Sequence, residues 1–191
     1  MRLFIGVALD EGLSGYLSGW SQRLAVACTD GLRLITPEYY HLTLVFLGSH
    51  PESVLPLIHR ALLRAGSMHS PFACQLDGIA LLPDETRPRA LVAKVEPKQP
   101  LLALREDVYS CLGQLQPPCD RQGFRPHITL ARSNPQRAGD PIQGLARDLQ
   151  PLRAILELNS VTLYQSFLHP DGSRYRPLVQ VALAAGQNKV T

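Results

Sequence analysis

Little in this chain lends itself to cross-linking, to a membrane or to a strongly charged partner. Its four cysteines, Cys28, Cys74, Cys111 and Cys119, include no CxxC pair. That excludes the usual short-range zinc and redox spacings and predicts free thiols in a reducing cytoplasm. No apolar run approaches the ~20 residues that a membrane helix needs. The opening "RLFIGVAL" is too short and runs straight into Asp10 and Glu11, so neither a signal peptide nor a membrane anchor is expected. Charge of one sign is scarce as well. Nineteen Lys and Arg against sixteen Asp and Glu leave a net +3, which permits an anionic ligand without announcing a non-specific nucleic-acid binder. No low-complexity linker divides the 191 residues, and a chain of this length can bury a sizeable core. The tail "AAGQNKVT" alone reads as disordered.

What is present is a mixture of short apolar strands and amphipathic helices. "RLFIGVAL", "LRLI", "HLTLVFL", "FACQLDGIALL", "RALVAKV" and "RPHITLAR" read as strands. "LRAILELNSVTLYQS" and "RYRPLVQVAL" read as closing strands around the turn "HPDGS". Helical spacing of Leu13, Tyr16, Leu17, Trp20 and Leu24 predicts a helix over Glu11–Val26. Leu55, Ile58, Leu62 and Leu63 predict a second helix, and Leu101, Leu104, Val108, Leu112 and Leu115 a third. After "HITLAR" the segment "SNPQRAGDPIQG" reads as a polar loop, and a short helix is expected between it and the closing strands. This irregular alternation argues for an antiparallel-rich α+β fold rather than a doubly wound parallel sheet.

Two of the six histidines head the same phrase, His-x-Thr-Leu: "HLTL" from His41 and "HITL" from His127. Composition alone gives roughly 0.04 copies per chain, so two by chance is a poor account. Residues two apart on a strand share a face, which pairs His41 with Thr43 and His127 with Thr129. Leu42, Leu44, Ile128 and Leu130 point into the opposite layer. Each motif thus presents an imidazole and a hydroxyl side by side. Facing each other, one neutral imidazole could take a proton from water while the other, protonated, gives one to a leaving oxygen. The hydroxyls could hydrogen-bond the non-bridging oxygens of a phosphodiester. Arg125 and Arg132 flank the second motif and could balance its charge. The competing reading is a pair of strand histidines satisfied by backbone carbonyls. A zinc site lacks the expected partners, because neither strand carries an acidic residue two to four positions from its histidine.

"HLTLVFLG" and "FRPHITLAR", with the opening "RLFIGVAL", the central "RPRAL" and the closing "VTLYQSFL" and "RYRPL", resemble the 2H phosphoesterase superfamily. The resemblance is to its LigT-like branch of RNA 2′,3′-cyclic phosphodiesterases, also called 2′-5′ RNA ligases. It implies one domain, residues 1–191, of two pseudo-symmetric lobes: a bilobal α+β fold with two antiparallel sheets facing across a groove and helices outside. It also implies hydrolysis of an RNA-terminal 2′,3′-cyclic phosphate to a 2′-phosphate, without a metal or other cofactor, with 2′-5′ ligation as the reverse reaction. By the same resemblance His41 is the proton donor, His127 the acceptor, and Thr43 and Thr129 bind phosphate. Val92 stands where relatives often carry a bulky aromatic.

Other positions are more open. Arg132 divides evenly between touching phosphate and lying in solvent, and Arg125 precedes Pro126, which fixes it as extended. Phe46 and Phe124 are candidates to stack a base, with core packing the main reading for Phe46. Tyr164 and Tyr175 could close the groove or fill the core. His50, His59, His69 and His169 read as surface histidines. The partners expected are RNA with cyclic-phosphate ends, or small nucleotides, and no membrane, with the protein acting as a cytoplasmic monomer. Hydrolysis of small cyclic nucleotides and non-catalytic RNA binding remain the alternative functions.

Overall fold

A computed structural model describes residues 1–27, 32–84, 88–115, 123–133, 152–170 and 172–184. The expected short helix after "HITLAR" lies outside the described residues, as do Cys28, Cys119 and the tail.

The first strand, β1 (Arg2–Ala8), is followed by helix α1 (Glu11–Ala27) and a short strand β2 (Leu32–Leu34). A 3-10 turn over Pro37–Tyr39 leads into β3 (His41–Ser49). Helix α2 (Leu55–Gly66), the hairpin β4 (Phe72–Leu82) and β5 (Ala90–Glu96), and helix α3 (Lys98–Leu112) come next. β6 (His127–Ser133) carries the second motif, and β7 (Arg153–Leu158), β8 (Ser160–His169) and β9 (Gly172–Ala182) close the chain. The segment "LRAILELNSVTLYQS" is therefore two strands, broken at Asn159.

Asp10 starts α1 by accepting the Leu13 amide on its side chain at 2.7 Å, the usual way an orphan helix donor is satisfied. Leu13, Leu17 and Trp20 are buried, while Tyr16 turns outward. In α2 the buried stripe is Ile58, Ala61, Leu62 and Ala65. Leu63, expected on that stripe, lies a third of a turn away and is half exposed. In α3 the stripe Leu101, Leu104, Val108 and Leu112 is buried as its spacing predicts.

The strands form one sheet in the order β7-β4-β5-β6-β3-β1-β8-β9, with β2 added beside β6. All the strand pairs are antiparallel. The antiparallel α+β architecture is as expected, with the two halves of the strand order joined edge to edge in one sheet rather than lying as separate sheets. In each half the motif strand is outermost at the join, followed by a strand that feeds a helix: β3 then β1 on one side, β6 then β5 on the other. The halves meet through the pair Leu42–Ile128, both completely buried.

Candidate active site

In β3 burial alternates from His41 to Leu44, with His41 and Thr43 half-buried and Leu42 and Leu44 inside. β6 repeats this pattern from His127 to Leu130. The alternation then breaks at the same place in both strands. Gly6 pairs with Thr43 and Ile5 with Val45, so Leu44 has no opposite number on β1. Val92 pairs with Thr129 and Leu91 with Ala131, so Leu130 is skipped on β5. Each is a β-bulge, an extra residue that shifts the facing of everything after it. Strict alternation would send Phe46 and Arg132, each five residues after its histidine, to the core face. The bulges return both to the groove.

Phe46 is consequently 69% exposed, which overturns the core-packing reading, and it lines the groove with Thr43, His127, Thr129 and Arg132. The bulge carbonyls are both satisfied. Arg105 Nε donates to Leu44 O at 3.1 Å, and the Ile35 amide donates to Leu130 O at 2.9 Å.

The histidines are held alike. His41 Nδ1 lies 2.7 Å from the Tyr39 carbonyl oxygen, and His127 Nδ1 lies 2.6 Å from that of Arg125. A carbonyl only accepts, so each Nδ1 carries the hydrogen and each neutral ring is left with a bare Nε2. Satisfaction by backbone carbonyls, the competing reading of these histidines, is thus correct for one nitrogen of each ring and leaves the other available.

His41 sits in an aromatic corner, its ring centroid 4.8 Å from those of both Phe4 and Tyr175. Burial pushes its pKa down to about 4; the bond to Tyr39 opposes this, and His127 and Arg132 add to it. Burial likewise lowers His127, with the Arg125 carbonyl opposing and Arg132 assisting. Both rings are therefore neutral at pH 7.

Two cavities meet at the motifs. One of about 540 Å³ runs past His127, Thr129 and Thr43 to Phe124, Arg125, Arg89 and Arg105. Another of about 370 Å³ includes His41, Thr43, His127, Thr129 and Arg132, and reaches Phe4 and Tyr175. The structure therefore brings together both histidines, both threonines, Phe46 and Arg132. Phe124 lies at the far end, with the Arg105 guanidinium 5.1 Å from its ring centroid. Arg125 lines the same end, but its Nη1 donates to the Pro83 carbonyl at 3.1 Å; its contact with His127 is through its backbone.

Tyr164 is not in either cavity. It is buried, stacks on Phe4 at 4.9 Å, and backs the aromatic corner rather than facing the groove. Tyr175, by contrast, lines the groove. Val92, directly across from Thr129, is buried packing. Of the other histidines, His59 and His169 are exposed. His50 and His69 are half-buried rather than free at the surface: His69 Nε2 lies 2.8 Å from Asp107 Oδ2, and His50 Nε2 lies 3.1 Å from Leu47 O.

Sequence reasoning missed Arg105 and Phe4. Arg105 had a visible signal, since it stands four residues after Leu101 inside the apolar stripe of α3, an odd place for a guanidinium without a task. Phe4 had none, being one apolar residue in an apolar strand.

The profile of the 2′-5′ RNA ligase superfamily matches residues 20–166. An RNA 2′,3′-cyclic phosphodiesterase of Thermus thermophilus is 36% identical over 137 residues, 69% of this chain and 68% of the relative. One of Archaeoglobus fulgidus is 28% identical over 93% of this chain and 98% of the relative. The crystal structure of the Thermus thermophilus protein TT0787 superposes with a TM-score of 0.81 at 29% identity, covering 98% of this chain and 100% of that one.

Proposed function

This chain belongs to the 2′-5′ RNA ligase superfamily, and from that premise we propose that it hydrolyses RNA-terminal 2′,3′-cyclic phosphate to a 2′-phosphate. The observation that carries the reading is the matched tautomer of the two histidines. Each Nδ1–H is tied to the carbonyl two residues earlier, which leaves two bare Nε2 atoms for one groove. Curated relatives over this length are RNA 2′,3′-cyclic phosphodiesterases, which supports the same substrate.

The chemistry needs one proton in and one proton out. His127 Nε2 takes a proton from water as the oxygen attacks phosphorus. The bond from phosphorus to the 3′ oxygen breaks, and His41, protonated at Nε2, gives its proton to that oxygen. The product is a 2′-phosphate with a free 3′ hydroxyl. Thr43 and Thr129 donate to the non-bridging oxygens, and Arg132 balances their charge. His41 must take up its proton from solvent as the substrate binds, because burial otherwise keeps the ring neutral. The anionic phosphate favours imidazolium, so binding loads the acid. In the reverse, ligating direction the two rings exchange roles.

We read the chain as one domain of two pseudo-symmetric lobes, acting in the cytoplasm as a monomer. Among the described residues no helix is long and apolar enough to cross a membrane. A second reading, hydrolysis of small cyclic nucleotides, is compatible with the modest net charge of +3, since a long RNA footprint would call for more Lys and Arg.

The test is turnover of an oligonucleotide ending in a 2′,3′-cyclic phosphate, and of a cyclic mononucleotide, with and without chelator. Chelator-resistant hydrolysis is expected, with a fall of ~10²–10⁴-fold in kcat for His41→Ala and for His127→Ala. Full activity in either variant overturns the paired mechanism, and loss to chelator revives a metal.

A further inference from the structure

Beside the catalytic groove lies a third cavity, of about 290 Å³, that shares Ile35, Tyr39, Arg132 and Tyr175 with the groove. Three arginines line it, Arg33, Arg132 and Arg174, against one acidic residue, Glu38. Arg33 on β2 and Arg132 on β6 are direct cross-strand partners, so their side chains share a face. Like charges placed opposite one another on neighbouring strands destabilise the pair unless something neutralises them. Among the described residues none of the three arginines forms an ion pair. Arg33 is nonetheless seated: a Cβ at Gly172 would come within 2.5 Å of its Nη1. The guanidinium thus lies against Gly172, whose φ of +126° is backbone that favours glycine.

We propose that this cavity is a second phosphate subsite, which takes the 5′ phosphate of the nucleotide whose cyclic phosphate lies between the two histidines. Arg132 borders both compartments and stands between the two anions. Arg33 and Arg174 hold the outer one, and charge-assisted, bidentate contact is what a guanidinium offers a phosphate. The strand would leave the active site past Tyr39 and Tyr175. The inference rests on the groove being a nucleotide-phosphate site. It deepens that reading by fixing the direction of the strand and by favouring substrates with a second phosphate.

Binding reads this without turnover. The probes are adenosine 2′-phosphate, adenosine 2′,5′-bisphosphate and the adenylyl dinucleotide ending in a 2′-phosphate. The second phosphate is expected to tighten binding roughly tenfold in the parent protein. Arg33→Gln and Arg174→Gln should each remove that gain and leave the affinity for adenosine 2′-phosphate unchanged. Arg33→Lys should restore part of it. The gain from the second phosphate should shrink as ionic strength rises, because salt screens the added charge contact. A dinucleotide that binds as well as the bisphosphate places the anion in an RNA strand. A gain confined to the bisphosphate places it on a free nucleotide, and the subsite stands in both cases. The subsite is overturned if the second phosphate gives no gain, or if both variants weaken the one-phosphate probe equally. Arg174 is exposed, so its variant keeps the test valid even if Arg33→Gln disturbs the fold. Failure of cyclic-phosphate hydrolysis would leave these affinities readable, so the two ideas fail separately.

Discussion

Leu42 of β3 lies directly opposite Ile128 of β6, and each is the neighbour of a His-x-Thr histidine. The halves of the sheet are joined in register at this pair, so the packing of two buried aliphatic side chains sets the separation of the two imidazoles. Leu42→Ala and Ile128→Ala should each cost about 2–5 kcal/mol of stability, from lost burial and the cavity left behind. Denaturant titration checks the cost. At temperatures where the variants remain folded, kcat should still fall, because misplaced proton donors and acceptors lose their geometry.

The pH dependence of the two kinetic parameters should separate. Burial holds both histidines below their ordinary 6.5, and catalysis needs one proton on the pair. The quantity kcat/KM reports the free enzyme, so its alkaline limb should lie below pH 6.5. Bound phosphate stabilises imidazolium, so the alkaline limb of kcat should lie higher. Coincident limbs would mean that substrate does not load the proton. The two apparent pKa values belong to the pair rather than to either ring.

Acid should also loosen the fold through His41. Its folded pKa of about 4 lies below the unfolded 6.5, so the unfolded chain binds the proton first. The stability tied to the neutral ring is complete above pH 6.5 and is lost as pH falls through about 4. By linkage the loss is on the order of 3 kcal/mol. The charged groups that act on this ring are His127 and Arg132, and both disfavour its protonation; Glu38 shares a cavity with it but does not offset them. Unfolding free energies of the parent and of His41→Leu between pH 7 and pH 4 check this; the parent should fall more steeply.

Gly6 stands across from Thr43, next to the bulge in β3. A Cβ there would lie 2.6 Å from the Leu42 carbonyl oxygen, too close for the strands to keep their spacing. Gly6→Ala should therefore destabilise by about 1–3 kcal/mol, the usual range for overpacking. It should also lower activity, since β1 can yield only by pushing the motif strand. A thermal melt with unchanged Tm would show that the strands have room to spare.

Much of this was legible in the sequence. Period-two alternation paired each histidine with its threonine, and three- and four-residue spacing gave the three helices, because both signals are local and set by backbone geometry. The misreadings were also physical. Tyr16 and Leu63 sit at the edges of helical stripes, where spacing alone leaves the facing undecided. Phe46 was misjudged because a bulge adds a residue that no pattern of apolar positions reveals.

The sequence by itself determined the two His-x-Thr devices, their strands and the fold class, since these depend on residue type and the repeat of the backbone. Only the tertiary structure decided what surrounds them. It set Arg105 on the Leu44 carbonyl, Phe4 against His41 and Arg33 across from Arg132. It also placed Tyr164 behind the site rather than in it. Those contacts join residues far apart in the chain, and pairing register and bulges fix them, which are properties of strands together rather than of any one strand.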